Sequence, residues 1–316
     1  MTVVDRAGIG AGASGLQPGG VRQQWGTPTN CLLVQESLRF YADVVERLQM
    51  RVDPAFRRCG YLFLAHSERT LAKLEANVAL QNALDVPSRI VSRAEAAALV
   101  PGLDTAGIVG GAWCAEDGYF DRPQAIVEAF GALVDVELAE VSDLDELAAD
   151  AIVVAAGVDT PRLLPELPIE AEPRTLFLSD PIGERLLEPL VVSAEKGFAA
   201  KQLADGRLLA SDLRAGTREN VRSGFEELLP RLVYVALSAV VEGFYDVTPD
   251  HQPILGRVRD RVWVAAGFSG RGFMQAPAIG RIVAESVLGV GSDPTLAVLD
   301  ADRFAQGRPV PEPSVV

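Results

Sequence analysis

The chain is poor in cysteine and histidine, the residues that most often build disulfides and metal sites. Its 316 residues include three cysteines, Cys31, Cys59 and Cys114, with no C-x-x-C spacing, and two histidines, His66 and His251. An odd number of widely spaced cysteines favours buried free thiols in a reducing compartment over a disulfide framework or a zinc site. Two separated histidines without neighbouring carboxylates likewise predict no metal site.

Basic charge and long apolar runs are also lacking. The formal net charge is −14 at pH 7, so we expect no binding to nucleic acid or to anionic membranes, both of which need a basic surface. The longest apolar stretch, residues 232–241, is too short to cross a bilayer. The N-terminus has no basic segment followed by an apolar run, as a signal peptide would. These features predict a cytoplasmic protein with no membrane span.

The spacing of the apolar residues predicts alternating strands and helices. A short strand ends at Asp5, and a helix over about 29–49 follows, with Leu32, Leu38 and Val44 at helical spacing. Residues 164–255 are strand-rich, with one helix near 218–229. This pattern predicts a mixed α/β fold of two interleaved domains, one of them doubly wound. Other expected elements are strands at 60–65, 107–114, 134–141 and 149–157, helices at 67–84, 92–100 and 120–133, a strand, glycine turn and helix within 261–289, and a disordered tail from 307.

Residues 10–15 have the pattern G-x-G-x-x-G, which often opens a dinucleotide-binding helix. Such a fingerprint requires a helix that begins at its last glycine, because the helix N-terminus holds the pyrophosphate. Pro18, Gly19 and Gly20 stand in the first turns of that helix, where proline costs about 3 kcal/mol and glycine about 1 kcal/mol. We therefore interpret the match as accidental, and an NAD(P)-dependent dehydrogenase built on it is disfavoured.

Asp5 is the other candidate for dinucleotide binding. In a Rossmann unit the second strand ends in an acid that binds the ribose, about 20 residues after the first glycine. If residues 1–5 are that second strand, the true fingerprint lies upstream of Met1, and a strand, turn and helix of roughly 20–25 residues are absent from the chain. A solvated strand end is the alternative for Asp5, and the residues alone leave it open.

Six segments carry a family resemblance. In chain order they are "VVDRAGIGAGASGLQPGGVRQQWGT", "CGYLFLAHS", "EDGYFDRPQAIVEAF", "ADAIVVAAG", "GFYDVTPDHQPILG" and "VWVAAGFSGRGFM". Together they resemble the D-amino-acid oxidase-like family of FAD-dependent oxidoreductases over about residues 1–290, in particular sarcosine oxidase β-subunits and related amine dehydrogenases. The resemblance implies a Rossmann-like FAD-binding domain, N-terminally truncated and interleaved with an antiparallel-sheet substrate domain. It assigns 1–45, 117–163 and 256–290 to the FAD-binding domain, 46–116 and 164–255 to the substrate domain, and 291–316 to a C-terminal tail.

The same resemblance implies where FAD would bind. Asp5 would hold the adenosine ribose, and the loop Gly12–Arg22 would run along the pyrophosphate and the isoalloxazine. Residues 267–274 would place backbone amides at the pyrimidine end of the flavin, where a helix N-terminus suits the negative charge of the reduced ring. The implied FAD-binding residues are Asp5, Arg6, Gly12, Ala13, Ser14, Gly19, Gly20, Val21, Ala156, Gly157, Gly267, Phe268, Ser269, Gly270, Gly272, Phe273 and Met274.

Three departures from the family pattern change what is implied. The N-terminal G-x-G-x-x-G unit is missing. No cysteine stands in "EGFYDVTPD", where some members attach FAD covalently, so the flavin is expected to be non-covalent. No lysine stands in "GRLLASD", the segment that we match to the oxygen-assisting lysine of sarcosine-type oxidases. That absence favours a dehydrogenase over an oxidase.

Amine oxidation by a flavin asks little of side chains, because the resemblance implies hydride transfer from the α-carbon of the substrate to flavin N5. Specificity would come from a cation that pairs with a substrate carboxylate. Arg22 and Arg271 are the candidates, because both of their loops would border the flavin. Tyr245 would line the pocket, and Trp25 would form one of its sides. The alternatives are a solvent-facing turn residue for Arg271 and plain core aromatics for Tyr245 and Trp25.

Two functions from different classes follow. The first is FAD-dependent oxidation of a small secondary amine or amino acid such as sarcosine, with an electron acceptor that the sequence does not identify. The second is a truncated or degenerate family member without FAD, which acts as a binding or complex subunit or not at all. Loss of a central strand would favour the second function, unless a partner subunit fills the gap.

Overall fold

The computed structural model describes residues 1–214 and 216–313. Its strands are β1 (Thr2–Asp5), β2 (Gly20–Val21), β3 (Phe56–Arg57), β4 (Tyr61–Ala65), β5 (Arg89–Val91), β6 (Gly110–Cys114), β7 (Gly118–Phe120), β8 (Asp135–Leu138), β9 (Ile152–Val154), β10 (Glu170–Leu178), β11 (Leu190–Ser193), β12 (Phe198–Gln202), β13 (Leu208–Asp212), β14 (Ala239–Val247), β15 (Ile254–Arg259) and β16 (Val262–Ala266).

Its helices are α1 (Ala13–Leu16), α2 (Pro28–Ala42), α3 (Val44–Arg47), α4 (Glu68–Asn82), α5 (Arg93–Leu99), α6 (Pro123–Gly131), α7 (Thr160–Leu163), α8 (Arg218–Leu228), α9 (Gly272–Leu288) and α10 (Pro294–Val298). Within the described ranges, none of these helices combines the length and the apolar character needed to cross a membrane.

The largest sheet has eight strands in the order β14-β10-β13-β12-β11-β4-β6-β5. Its pairings are antiparallel except for β11 with β4, which run parallel. The long β10–β14 pair runs in register from Glu170↔Val247 to Leu178↔Ala239. A core that includes Leu62, Phe198 and Phe225 packs beneath the sheet. The strand-rich region predicted at 164–255, with one helix, is thus confirmed by β10–β14 and α8.

Two smaller sheets contain the other parallel pairs. β1 pairs with β8, and β9 pairs with β16, which is followed by the antiparallel β15. Within the described part of the chain, no strand joins β1 to β9. The two sheets are linked near their carboxyl ends by an ion pair of 2.8 Å between Arg6 Nη2 and Asp159 Oδ2. The topology therefore places the residues that follow β1 beside those that follow β9.

A glycine-rich turn positions the start of α9. Gly267, Ser269 and Gly270 all have positive φ, of 78°, 50° and 84°. A Cβ placed on Gly270 would lie 2.5 Å from the ring of Tyr245, so this close approach needs glycine. The turn brings the first residues of α9 against β14, and the apolar face of α9, including Ile279 and Ile282, packs with Leu33 of α2.

The helix predicted over about 29–49 is shorter in the structure. α2 ends at Ala42, Asp43 has the non-helical angles φ −114° and ψ 19°, and α3 covers only 44–47. Asp is a poor helix former, because its carboxylate competes for backbone N–H groups. Leu32, which we assigned to the apolar face, is 51% exposed, whereas Cys31 and Val34 are buried.

The prediction of a disordered tail from 307 is wrong for residues 307–313, and residues 314–316 lie outside the described part of the chain. Val310 N donates to Asp250 Oδ2 at 3.0 Å, and Glu312 N donates to Asp250 O at 3.1 Å. Glu312 is only 4% exposed. Composition failed here because the contacts that order the tail come from residues some 60 or more positions away in the chain.

Candidate functional site

Two arginines from distant segments approach one indole ring in the interior. The guanidinium carbon of Arg22 lies 3.6 Å from the centroid of the Trp25 ring, and that of Arg271 lies 5.1 Å from it. Exposures of 4% for Arg22 and 2% for both Trp25 and Arg271 show that all three side chains are buried. Cations over an indole face are stabilised by its quadrupole. The alternative of a solvent-facing Arg271 is therefore wrong, because the turn before α9 directs this side chain inward.

The guanidinium group of Arg271 has unused hydrogen-bond donors. Its Nε, Nη1 and Nη2 atoms are buried and have no hydrogen-bond partner among the described residues. Burial lowers the pKa of Arg22 and of Arg271 to about 10, which leaves both guanidinium groups charged at neutral pH. A buried cation with unsatisfied donors is costly unless an acceptor binds it, and a carboxylate matches its fork geometry.

Tyr245 joins this group from the large sheet. It stands on β14, its ring faces Gly270, and the guanidinium carbon of Arg174 lies 4.8 Å from its centroid. Burial raises the pKa of Tyr245, and the nearby charges of Arg174 and Arg22 oppose that rise. The structure thus brings together four residues that were singled out from the sequence, Arg22, Trp25, Tyr245 and Arg271.

Asp117 is an acid of this region that sequence reasoning did not single out. It is 0% exposed and accepts hydrogen bonds from Gln23 N at 2.8 Å and from Gln24 Nε2 at 3.1 Å. Burial raises its pKa to about 6, against these hydrogen bonds and the charge of Arg22. In the sequence, Asp117 was noted only as part of the family motif "EDGYF". The residues next to it in the chain do not indicate that its carboxylate points toward residues 23 and 24.

Lys201 was also missed. This side chain on β12 is 1% exposed, donates from Nζ to Pro18 O at 2.7 Å and lies 3.8 Å from the centroid of the Tyr119 ring. The segment matched to the oxygen-assisting lysine is "GRLLASD", residues 206–212, whereas Lys201 pairs with Leu209 across the β12–β13 ladder. A lysine therefore lies one strand away from the matched segment, in contact with the loop 12–22. Only strand pairing reveals this.

The burial of Lys201 makes the stability of the folded protein depend on pH. Burial lowers the pKa of Lys201 to about 7 from an ordinary 10.5, so above pH 7 the unfolded chain binds more protons here than the folded one. The free energy of unfolding should then rise with pH by up to about 1.4 kcal/mol per unit, from about 7 to 9. Above that range, the raised pKa of Cys59, about 11 against 9.0, has the opposite effect.

Urea titrations at several pH values across this window, on the wild type and on Lys201→Met, measure that slope. The unfolding free energy of the wild type should rise more steeply with pH than that of the variant, and the difference in slope should correspond to one proton. Equal slopes would show that the ammonium group is as well solvated in the folded protein as in the unfolded chain.

The implied FAD-binding residues near β1 and β9 lie at the carboxyl ends of these strands. Asp5 is exposed, and its Oδ1 accepts hydrogen bonds from Ala7 N at 2.8 Å and Gly8 N at 2.7 Å. Ala156 and Gly157 follow β9, and Gly157 has φ +54° with open space where a Cβ would stand. Both loops face outward at the edge where α/β folds bind their ligands.

The G-x-G-x-x-G segment opens no long helix. Gly12 is the N-cap of α1, and Ala13 and Ser14 lie in its single turn. The helix ends at Leu16, and Gln17 has extended angles of φ −64° and ψ 144°. The prediction that no regular helix follows this motif is confirmed, because α1 does not continue past residue 16.

Gly19 and the β2 residues Gly20 and Val21 form the far end of this loop. Gly19 has φ +77°, its carbonyl accepts a hydrogen bond from Phe120 N at 2.9 Å, and Gly20 pairs with Tyr119. A Cβ on Gly19 would lie 2.5 Å from Phe120 O, a backbone atom. The loop therefore packs on β7 without room for a side chain at position 19.

A Gly19→Ala variant should lose about 2–5 kcal/mol of unfolding free energy, because it adds left-handed strain to a clash with backbone. Chemical denaturation measures the loss. The matched control is Gly280→Ala in α9, where no atom lies within 4 Å of the added methyl group. That change should raise stability by up to about 1 kcal/mol, since alanine favours the helix. A Gly19→Ala variant as stable as the wild type would contradict the close packing on β7.

Residues 267–274 place a helix N-terminus beside Arg271. Gly267 N donates to Asp246 Oδ2 at 2.7 Å and Ser269 N donates to Asp246 O at 2.9 Å, which fixes the turn that also contains Phe268. In contrast, the N–H groups of Gly272, Phe273 and Met274 have no partner among the described residues. They are the free donors of a 17-residue helix, a site that favours negative charge.

The residues present fit the flavin end of FAD. Three free N–H groups at the start of α9 match the carbonyl and ring nitrogen atoms of a flavin pyrimidine, and their positive dipole suits a reduced, anionic ring. Asp5, at the end of β1, and the open Gly157 turn lie at the carboxyl ends of parallel strands, the edge at which open α/β sheets bind their ligands.

Comparison with known proteins gives consistent results. A family model described as FAD dependent oxidoreductase, DAO, matches residues 1–286. FAD-dependent oxidoreductase domain-containing protein 1 of Bos taurus is 25% identical over an alignment of 366 residues, which covers 91% of this chain and 75% of that protein.

Two solved structures have the same fold. The crystal structure of L-proline dehydrogenase from P. horikoshii superimposes with a TM-score of 0.88 at 24% identity, covering 97% of this chain and 91% of that one. Glycine oxidase from Geobacillus kaustophilus superimposes with a TM-score of 0.83 at 21% identity, covering 96% and 91%. The expected mixed α/β fold is thereby confirmed. Because the family model spans most of its length, the chain belongs to the DAO family of FAD-dependent oxidoreductases.

Proposed function

We propose that the protein oxidises the C–N bond of a small secondary amine or amino acid that carries a carboxylate, such as sarcosine, with FAD as its cofactor. The observation that carries the proposal is the buried guanidinium of Arg271, at the start of α9, whose three nitrogen atoms lack partners among the described residues. A substrate carboxylate would satisfy these donors next to the helix N-terminus that suits a flavin.

The side chains orient the substrate and exclude water. Arg271 would bind the carboxylate bidentately, and Arg22, which approaches the same Trp25 ring, would add a second positive charge. Tyr245 would border the substrate on the side of the large sheet. Bound FAD would supply the redox chemistry by accepting a hydride at N5. The free N–H groups of residues 272–274 would stabilise the charge that develops on the ring.

The electron acceptor is a separate part of the proposal. The absence of a lysine from "GRLLASD" supports a dehydrogenase, whereas Lys201 lies one strand away, against Pro18. Oxygen uptake, compared with the reduction of an artificial dye during turnover, distinguishes the two. Fast dye reduction with little oxygen uptake supports the dehydrogenase.

Absorbance spectroscopy tests the proposed function most directly. The purified protein is scanned before and after addition of FAD, and sarcosine or proline is then added without oxygen. Flavin bands that bleach on addition of the amine support the proposal. Release of the flavin by acid precipitation would support non-covalent binding, as expected from the lack of cysteine in "EGFYDVTPD".

A second function is supported by the separation of the two parallel sheets. Among the described residues no strand joins β1 to β9, so the cofactor-binding sheet is divided. A protein of this kind that takes up no FAD would serve as a binding or complex subunit, or would require a partner subunit to complete the sheet. A colourless protein that stays colourless with added FAD would favour this alternative and contradict the first.

A further inference from the structure

The C-terminal tail places a carboxylate beside the arginines. Glu312 Oε1 accepts a hydrogen bond from Gly26 N at 2.9 Å. Its Oε2 accepts from Thr27 Oγ1 at 2.8 Å and from Asn30 Nδ2 at 2.6 Å. Three donors at normal hydrogen-bond distances surround a carboxylate that is 4% exposed. The negative charge is therefore fixed on the segment that directly follows Trp25.

Hydrogen bonds also connect this carboxylate to α9. Asn30, which donates to Glu312, accepts from Gln275 Nε2 at 2.8 Å, and Gln275 N donates to Arg271 O at 3.2 Å. Burial lowers the pKa of Arg271, and the charge of Glu312 opposes that effect more than any other group does. Glu312 is thus coupled to Arg271 both through a hydrogen-bonded chain and through space.

We propose that Glu312 is a specificity-determining residue whose charge disfavours a second carboxylate on the substrate, an inference that rests on the proposed function. Every negative charge on a substrate is repelled by Glu312, in an interior where screening by water and salt is weak. A dicarboxylate experiences this repulsion twice. Discrimination by a repulsive element is a common way in which proteins reject a close analogue.

Other acids close to the arginines have different surroundings. Asp250 is held by Arg303 in a buried ion pair of 2.8 Å, and Asp117 is held by the residues 23 and 24. Burial raises the pKa of Asp246, and hydrogen bonds from the backbone of Gly267 and Phe268 oppose that rise. Glu312 comes from the tail and its carboxylate accepts from residues 26, 27 and 30, so the effect of its charge has to be separated from the effect of its hydrogen bonds.

The test compares two simple anions, acetate with one carboxylate and malonate with two. Their dissociation constants are measured by calorimetry at neutral pH, on wild type and Glu312→Gln purified with added FAD. Removal of the fixed charge should strengthen malonate binding relative to acetate by about tenfold, the effect of one additional pair of like charges at partly screened distance. An unchanged ratio of the two constants would overturn the proposal.

Two matched variants separate charge from structure. Glu312→Asp keeps the charge, and Thr27→Val removes one hydrogen bond to the carboxylate but leaves it ionised. A merely structural role predicts that all three variants weaken both anions alike. The proposal predicts a changed ratio in Glu312→Gln alone, so a similar change in Thr27→Val would count against it.

Failure to oxidise any amine would overturn the proposed function and leave the anion ratio as a valid readout. Binding of neither anion would overturn the shared premise that the arginines receive a carboxylate.

Discussion

An Arg271→Met variant is expected to lose about 10²- to 10³-fold in kcat/KM for sarcosine or proline, because removing one partner of a buried charge pair costs about 3–4 kcal/mol. The same change should raise the melting temperature. Three buried nitrogen atoms of Arg271 have no partner among the described residues, and a buried charge without a partner destabilises the folded state. Activity and stability should therefore change in opposite directions.

Steady-state kinetics on FAD-loaded protein and thermal melts measure these two effects. An amine without a carboxylate, such as dimethylamine, should react equally well with both forms, because it does not use the guanidinium. Arg271→Lys should recover only part of the loss, since an ammonium group cannot bind a carboxylate bidentately. Arg257→Met, which removes an exposed ion pair with Asp260, is the control for loss of a positive charge.

Either of two results would count against this role. Full activity of Arg271→Met toward sarcosine would show that another group receives the carboxylate. A fall in melting temperature would show that the guanidinium stabilises the folded chain through a contact that offsets its burial.

An Arg303→Met variant is expected to lose about 3–5 kcal/mol of unfolding free energy, the usual cost of breaking a buried ion pair. Arg303 and Asp250 are 0% and 1% exposed at their side chains. Arg303 Nε lies 2.8 Å from Asp250 Oδ2, and Nη2 lies 3.0 Å from Oδ1. Burial acts to raise the pKa of Asp250, but hydrogen bonds from Arg303 hold it below its ordinary value. The variant would leave this carboxylate buried without its cation.

Urea denaturation checks the size of the loss, with Arg281→Met as the control. Arg281 pairs with Glu36, Glu285 and Asp293, but its side chain is 40% exposed. Its removal should cost about 1 kcal/mol or less. The double variant Arg303→Met with Asp250→Leu should recover part of the loss, because no buried charge remains. A loss in Arg303→Met no larger than that in Arg281→Met would contradict a buried pair.

Local signals predicted the individual elements well. The helices expected at 92–100 and 120–133 are α5, which begins with a capping box of Ser92 and Glu95, and α6, which has Pro123 at its first position. The strand that ends at Asp5 is β1. These succeeded because caps, fixed proline angles and apolar periodicity act between residues a few positions apart.

The site was predicted in part. The loops that contain Arg22 and Arg271 were chosen through the family resemblance, and the structure places both arginines by Trp25. Lys201 and Glu312 were not found, because neither stands in a recognisable pattern. The division into domains and the roles of the FAD-binding residues stay predictions.

The sequence by itself determined the family, most strands and helices, and the failure of the G-x-G-x-x-G segment to open a long helix, because proline and glycine act on the backbone wherever they stand. Only the tertiary structure decided which charges meet. The hydrogen bonds of Lys201 to residue 18 and of Glu312 to residue 27 span 183 and 285 positions. No local preference encodes such contacts, since they exist only after the sheets and helices have packed.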